Sequence, residues 1–444
     1  MADTAVKTRQ VTPEIAGSGD DPALSARLEA LDLPQGGFTA RARQEALARL
    51  RKMGLPRSRD EYWRYTDPAA FNAPRPDPIA IAGQGPDGPL FQDLDRVKLV
   101  FVDGALDLAE SDDLALEGVE IASLAQVDEA GGDHWAADLY GTLEGAAHEH
   151  VARPLGALNT AVARDGALIR VSGKPSRPLH MIHRRKDETA DVYYHHVIRL
   201  EPGAELTLLE TGMTGARSNF VLEVDLGEAA RFHHIAAKRA GHEKLGWGGV
   251  FARIAAEAQF KSFALSVNGT LMRHESVIDI VGDDAVAHIA AAVLGDANRG
   301  DFHHDDTVFI THDAERCESR QVFKKVLKNG AKGIFQGKIL VQPGAQKTDG
   351  YQISQALLLD ENSQFLGKPE LEIYADDVQC SHGSTTGAID ETALFYLRSR
   401  GVPKERAIIL MVLSFLADAL AEVEDEGLRE EINDRLDAWL TRHS

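Results

Sequence analysis

Phe220-Val-Leu-Glu-Val-Asp-Leu226, closed by Gly227, is the stretch that decides the fold class. Phe220, Leu222, Val224 and Leu226 alternate with Val221, Glu223 and Asp225. A period of two is what a β-strand imposes, because successive side chains leave opposite faces. The alternation predicts one buried face and one wet face. It recurs downstream, where Phe263, Leu265 and Val267 alternate with Ala264 and Ser266, and Leu371 and Ile373 with Glu370, Glu372 and Tyr374. Turn glycines stand at Gly203, Gly227, Gly248 and Gly269, at intervals of 24, 21 and 21 residues. Such an interval fits the rung of a parallel β-helix, in which each turn buries its face on the next. A jelly roll also joins many short strands through glycine turns. Residues 166–386 therefore read as all-β, either a solenoid or a double sheet.

Outward from this region the character changes on both sides. Residues 1–20 are polar and small, and predict a disordered segment. Residues 21–165 read as a helical region with a small α/β part. Between Pro22 and Gly54, Ala46, Leu50 and Met53 fall at i, i+4 and i+7, Leu47 widens the stripe, and Pro56 ends the helix. Glu61-Tyr-Trp-Arg-Tyr-Thr-Asp67 is unusually aromatic for this chain, and residues 73–90, rich in Pro, Gly and Asp, read as a linker. Val97-Lys-Leu-Val-Phe-Val-Asp103 predicts a buried strand in an α/β unit ahead of the main body. Residues 387–444 turn helical. Asp390 to Arg400 has an acidic start and a basic end, Gly401 stops it, and Pro403 opens a second helix. In that helix Ile409, Val412, Leu413, Leu416 and Leu420 make one stripe while Ile408, Met411 and Phe415 make the other side apolar too. A helix apolar on both sides needs cover on both sides, part of which another protein can supply. A last helix, 426–441, is rich in Glu, Asp and Arg.

The chain has 444 residues with a net charge of -21, 43% hydrophobic and 26% charged. That is a globular composition, long enough for two or three domains or one solenoid with helical attachments. The negative field excludes a nucleic-acid groove and docking on an anionic membrane. Two cysteines, Cys317 and Cys380, point to a reducing compartment, and residues 1–20 have no signal-like apolar core, so the expected location is the cytoplasm.

The densest chemistry lies in Cys380-Ser-His-Gly-Ser-Thr-Thr-Gly387. On an extended segment Cys380 and His382 share a side, within reach of one metal or one sulfur species. Two ligands do not enclose an ion, so this is either an incomplete site finished elsewhere or a half-buried Cys beside a turn-satisfying His. His303-His-Asp-Asp306, with His312 nearby, offers a second set of donors. On a strand His303 and Asp305 share one face and His304 and Asp306 the other, giving a metal site, a general-base pair or a polar strand edge. His195-His196 and His233-His234 repeat the adjacent pair and read as structural. Gly333-Ile-Phe-Gln-Gly-Lys-Ile339 lacks the spacing and the Ser or Thr of a phosphate loop, so any ATP used with this chain is hydrolysed by a partner.

Pro369 to Gly401, running through Asp376-Asp-Val-Gln-Cys-Ser-His-Gly383, resembles the C-terminal signature of the SufB/SufD family of iron–sulfur cluster assembly scaffolds, on its SufD side; Glu61–Asp67 resembles that family's N-terminal motif. The resemblance implies a mainly β protein with a right-handed parallel β-helix core flanked by N-terminal and C-terminal helical regions. It implies a non-catalytic scaffold that pairs with a SufB-like paralogue and a SufC-like ABC ATPase; whether the chain in isolation also forms a homodimer is left open by the sequence. A transient iron–sulfur cluster would form between the paralogues, at His382 and Cys380, with the other donors coming from SufB. The C-terminal helices would dock the ATPase through Ile409, Val412, Leu413 and Leu416. Reduced flavin is associated with the assembled complex, and no residue here identifies its site. The competing readings are a β-helix polysaccharide lyase or hydrolase built on His303, His304, Asp305 and Asp306, and a metal-storing homodimer without partners.

Overall fold

A computed structural model describes residues 21–81, 89–149, 151–212, 214–239, 245–267 and 269–443. The expected disordered segment 1–20, and residues 82–88 of the expected linker, lie outside the described residues.

Two long sheets dominate the fold, and from Ala167–Val171 onward consecutive strands alternate between them. Sheet I holds, in spatial order, Gln379–Gly387, Asp349–Leu358, Glu318–Lys328, Val286–Asp296, Gln259–Val267, Arg231–Arg239, Glu205–Gly212, Leu179–Arg184, Val97–Val102 and Ala105–Leu106. Sheet II holds Gln364–Ile373, Lys332–Val341, His303–His312, Leu271–Ile280, Leu245–Ile254, Arg217–Leu226, Asp191–Leu200, Ala167–Val171 and Val119–Ser123. Strand follows strand in parallel register one turn later, so the body is a parallel β-helix and not a jelly roll. The strand at 97–102 belongs to it, pairing Val97 with Leu179 in parallel, rather than to a separate unit in front.

The rung is longer than the glycine spacing suggested. Leu245 stands beside Arg217 and Leu271 beside Leu245, turns of 28 and 26 residues, while His303 beside Leu271 makes a turn of 32. The repeating feature is a corner in left-handed conformation, occupied by Gly203, Ala229, Glu257, Asp284, Arg316 and Lys347 at φ between 55° and 72°. The stacking is cooperative along the backbone: Ala229 donates its N–H to the carbonyl of Ala256, Glu257 to Asp283, Asp284 to Glu315 and Arg316 to Gln346. An L-residue at this φ costs on the order of 1–2 kcal/mol, which the stacked ladder offsets. Gly248, by contrast, lies inside a strand.

Helices cover both outer faces. On the N-terminal side are α1 (Pro22–Glu29), α2 (Ala40–Met53), α3 (Ala69–Asn72), α4 (Leu124–Ala130), α5 (Thr142–Ala146) and α6 (Pro154–Val162), several of which pack on sheet II. On the C-terminal side α7 (Glu391–Ser399) is followed by α8 (Lys404–Leu420) and α9 (Glu426–His443), the latter two against sheet I. This cover corrects the expectation of a wet face. In Arg217–Leu226, Phe220, Leu222, Val224 and Leu226 fill the solenoid interior, while Val221 packs under the N-terminal helices. Glu223 also faces outward and is fully buried. It accepts the N–H groups of Gly141 (2.6 Å) and Glu144 (2.9 Å) and meets His195 Nε2 at 2.9 Å. The alternation separates two buried environments.

The C-terminal helices follow the sequence closely, and their buried side does not. Ile409, Val412 and Leu416 are 4%, 1% and 0% exposed, packed with Val322 and Val326 of sheet I and Ile432 and Leu436 of α9. Leu413 is partly buried at the same cluster. Their cover comes from this chain itself, which corrects their assignment as a partner surface. The large exposed apolar side chains of α7 and α8 are Phe395, Tyr396 and Leu410.

Candidate functional site

The solenoid ends with both sheets open. Among the described residues, Gln379–Gly387 has Asp349–Leu358 as its only neighbour in sheet I, and Gln364–Ile373 has only Lys332–Val341 in sheet II. Each terminal strand thus presents a row of backbone N–H and C=O groups along its outer edge, a ready template for another chain. Leu366, Ile373 and Tyr374 are exposed on or just past the sheet II edge.

Cys380 and His382 sit on the terminal strand of sheet I, in register with Gly350 and Gln352. Their two-residue spacing puts both on one side, as expected from sequence, and strand pairing makes that side the inward face. Cys380 is half-buried against Ile339, Val341, Ala345 and Ala375, and its Sγ lies 3.2 Å from where a Cβ on Gly350 would stand. Burial, with the nearby Asp349 charge, pushes its thiol above the ordinary range. Cys380 is therefore a thiol at neutral pH, and needs a bound cation to become a thiolate ligand. His382 is exposed at the mouth of the last turn. It ends a column that begins with Gln321 and Gln352, whose Nε2 donates to Gln321 Oε1 at 2.7 Å. The end of the solenoid therefore presents one imidazole and one sheltered thiol, too few donors for a cluster, beside two unpaired edges.

His303 and His304 do not converge on one site. His303 and Asp305 face outward, where Thr66 Oγ1 donates to Asp305 Oδ2 (2.6 Å) and meets His303 Nε2 (2.9 Å). Asp305 is also paired with Arg273. It belongs to a buried network, missed from sequence, in which Glu275 accepts from Arg273 Nε at 2.8 Å and Trp247 Nε1 at 3.2 Å and pairs with Arg153. Although burial alone would raise it, the two guanidiniums hold the Glu275 carboxyl down at about 2. His304 and Asp306 face the interior, where their donor atoms and one of His274 lie within 4.8 Å of one another. Lys325 stands in the same cluster, its Nζ 2.5 Å from Asp306 Oδ2 and 3.2 Å from His304 Nδ1. Burial lowers His304 to about 4, so it is neutral at pH 7 and the Asp306 charge is matched by the ammonium. A divalent ion here would add uncompensated charge in a buried place. Period two from Phe323 puts Lys325 on the inward side, and that is the signal by which it was legible. Cys317 is buried, Sγ 3.3 Å from the Gly282 carbonyl, and burial raises it too.

The family model "SUF system FeS cluster assembly, SufBD core domain" matches residues 182–415. Over 407 residues the chain is 30% identical to the iron–sulfur cluster assembly protein SufD of Escherichia coli, covering 88% of this chain and 91% of that one. It is 24% identical over 417 residues to an iron–sulfur cluster assembly SufBD family protein of Synechocystis, covering 86% of each. It is also 32% identical over 158 residues to the SufD protein of Bacillus subtilis, covering 36% of each chain.

Proposed function

The chain belongs to the SufB/SufD family of the SUF iron–sulfur cluster assembly system, and from that premise we propose that it is a scaffold subunit holding half of a cluster-assembly site shared with a SufB-like paralogue. The observation that carries this reading is the open end of the solenoid. Cys380 and His382 stand where two unpaired sheet edges invite a second β-helix, and the donors they lack would come from that chain. Iron and sulfide are cargo in this scheme. His382, exposed at the open end, would bind iron first. The Cys380 thiol loses its proton as the cation arrives.

ATP hydrolysis belongs to a SufC-like ABC ATPase. Its docking surface is proposed on the exposed side of α7 and α8, at Phe395, Tyr396 and Leu410, rather than on the buried stripe. Work done there would reach the open end directly, because α7 follows the strand of Cys380 and His382 after three residues, 388–390. A reduced flavin belongs to the assembled complex. No helix among the described residues is long and apolar enough to cross a membrane, and the cytoplasm is the proposed location. A polysaccharide-cleaving role is disfavoured because Asp305, His304 and Asp306 are buried and committed to Arg273 and Lys325.

Anaerobic pull-down of the chain from its host tests the proposal. It should bring an ABC-type ATPase and a paralogous β-helix scaffold in stable ratio. Recovery of the chain alone, or as a homodimer only, contradicts it.

A further inference from the structure

The aromatic heptapeptide Glu61–Asp67 is absorbed by nothing in the proposed function, and its contacts are unusual. It crosses the outer face of sheet II over four consecutive turns. Trp63 is 4% exposed, with Arg273 of Leu271–Ile280 stacked 4.3 Å from its ring centroid. Thr66 is tied to Asp305 and His303 of the next strand. The carbonyl of Tyr62 accepts from Gln336 Nε2 of the third at 3.1 Å. Tyr62 then reaches the terminal strand, its hydroxyl donating to Glu370 Oε2 at 2.8 Å, while Lys368 Nζ lies 2.8 Å from Glu61 and 4.2 Å from the Tyr62 ring centroid.

The deep contacts fall on interior turns and the outer ones on the strand with a single neighbour. Most of that strand, Gln364–Ile373, is half-buried or exposed, so its own burial holds it weakly. It also touches the other terminal strand closely: a Cβ on Gly367 would lie 2.5 Å from Ser384 Oγ. The two strands that close the solenoid therefore move together or clash.

We infer that Glu61–Asp67 is a strap, anchored by Trp63 and Thr66, whose Tyr62 and Glu61 position the terminal strand and with it the open end carrying Cys380 and His382. Tyr62 and Glu370 are positioning residues and touch no cargo. That this positioning prepares the edge for a second β-helix rests on the scaffold reading; the positioning itself concerns this chain alone.

Hydrogen exchange on the full chain without partners tests the strap. Tyr62→Phe keeps the ring and removes one charge-assisted hydrogen bond, so amides of 364–373 and 379–387 should exchange about tenfold faster. Residues 217–226 should be unchanged. Glu370→Gln weakens the same Tyr62 bond and also loses the ion pair with Lys368 Nζ at 3.2 Å, so it should loosen the strands too, and the double variant should fall short of the sum of the singles because they share the Tyr62–Glu370 bond. Unchanged exchange at the end strands, additive effects, or equal loosening of 217–226 overturns the strap. Affinity for the paralogous scaffold is the second readout. Loosened strands with undiminished affinity would keep the strap and remove its link to pairing.

Discussion

Leu416→Ala separates a self-covering C-terminal helix from a partner-covering one. Leu416 is fully buried in α8, against sheet I and α9. The substitution removes three carbons, about 2.4 kcal/mol of transfer free energy at 0.8 kcal/mol each. A residual cavity in a site that relaxes incompletely raises the expected loss to about 3–5 kcal/mol. That loss should be seen in the isolated chain, with no partner present. Urea unfolding followed by far-UV circular dichroism, with hydrogen exchange on 404–443, reads it globally and locally. The control is Phe395→Ala, on a side chain 73% exposed; it should change stability by no more than about 0.5 kcal/mol while weakening ATPase capture. The reasoning is refuted if Leu416→Ala unfolds like the wild type and loses the ATPase, since its contacts would then lie outside this chain.

Three further outcomes follow from the same structure. His382→Ala should leave the complex assembled and lower cluster yield in vivo; a normal yield removes the exposed imidazole from the mechanism. His312, buried beside Ser319, has its pKa lowered by burial to about 4 from an ordinary 6.5. The unfolded chain therefore binds a proton that native His312 refuses. The His312 contribution to stability should fall as pH drops below 6.5 and level off below about 4, a loss of roughly 3 kcal/mol from this one group. His304, lowered to about 4 as well, acts in the same range, so His312→Gln should make that limb shallower by one proton's share in urea midpoints; an unaltered slope removes His312 from it. Glu275→Gln leaves buried Arg153 without its carboxylate and Arg273 with Asp305 alone, and should destabilise by about 3–5 kcal/mol in the same unfolding assay. A change below about 1 kcal/mol would mean the guanidiniums find water.

What the sequence made legible depended on how local its cause was. The strands at 220–226 and 263–267 and the three C-terminal helices follow from period and caps, which neighbouring residues set by themselves. The rung length did not, because most of the left-handed corners are held by Ala229, Glu257, Arg316 and Lys347, residue types that carry no turn signal, through hydrogen bonds to the turn beyond. The wet face was misjudged at Glu223 for a related reason. A buried carboxylate is recognised by the amides of Gly141 and Glu144, remote in sequence. Two-sided hydrophobicity of α8 was read correctly as a need for cover, but periodicity does not say whether the cover is the same chain. The shared side of Cys380 and His382 was legible from spacing, whereas its inward direction and the open edges beside it appear only once strands are paired.

The central claim is that this chain supplies half of a cluster-assembly site. Iron and acid-labile sulfide, assayed on anaerobically isolated complex from cells expressing the ATPase and the paralogous scaffold with or without this chain, test it most directly. The account predicts iron and sulfide in equal amounts when the chain is present, and loss of most of both when it is omitted. Equal loading without it would contradict the account.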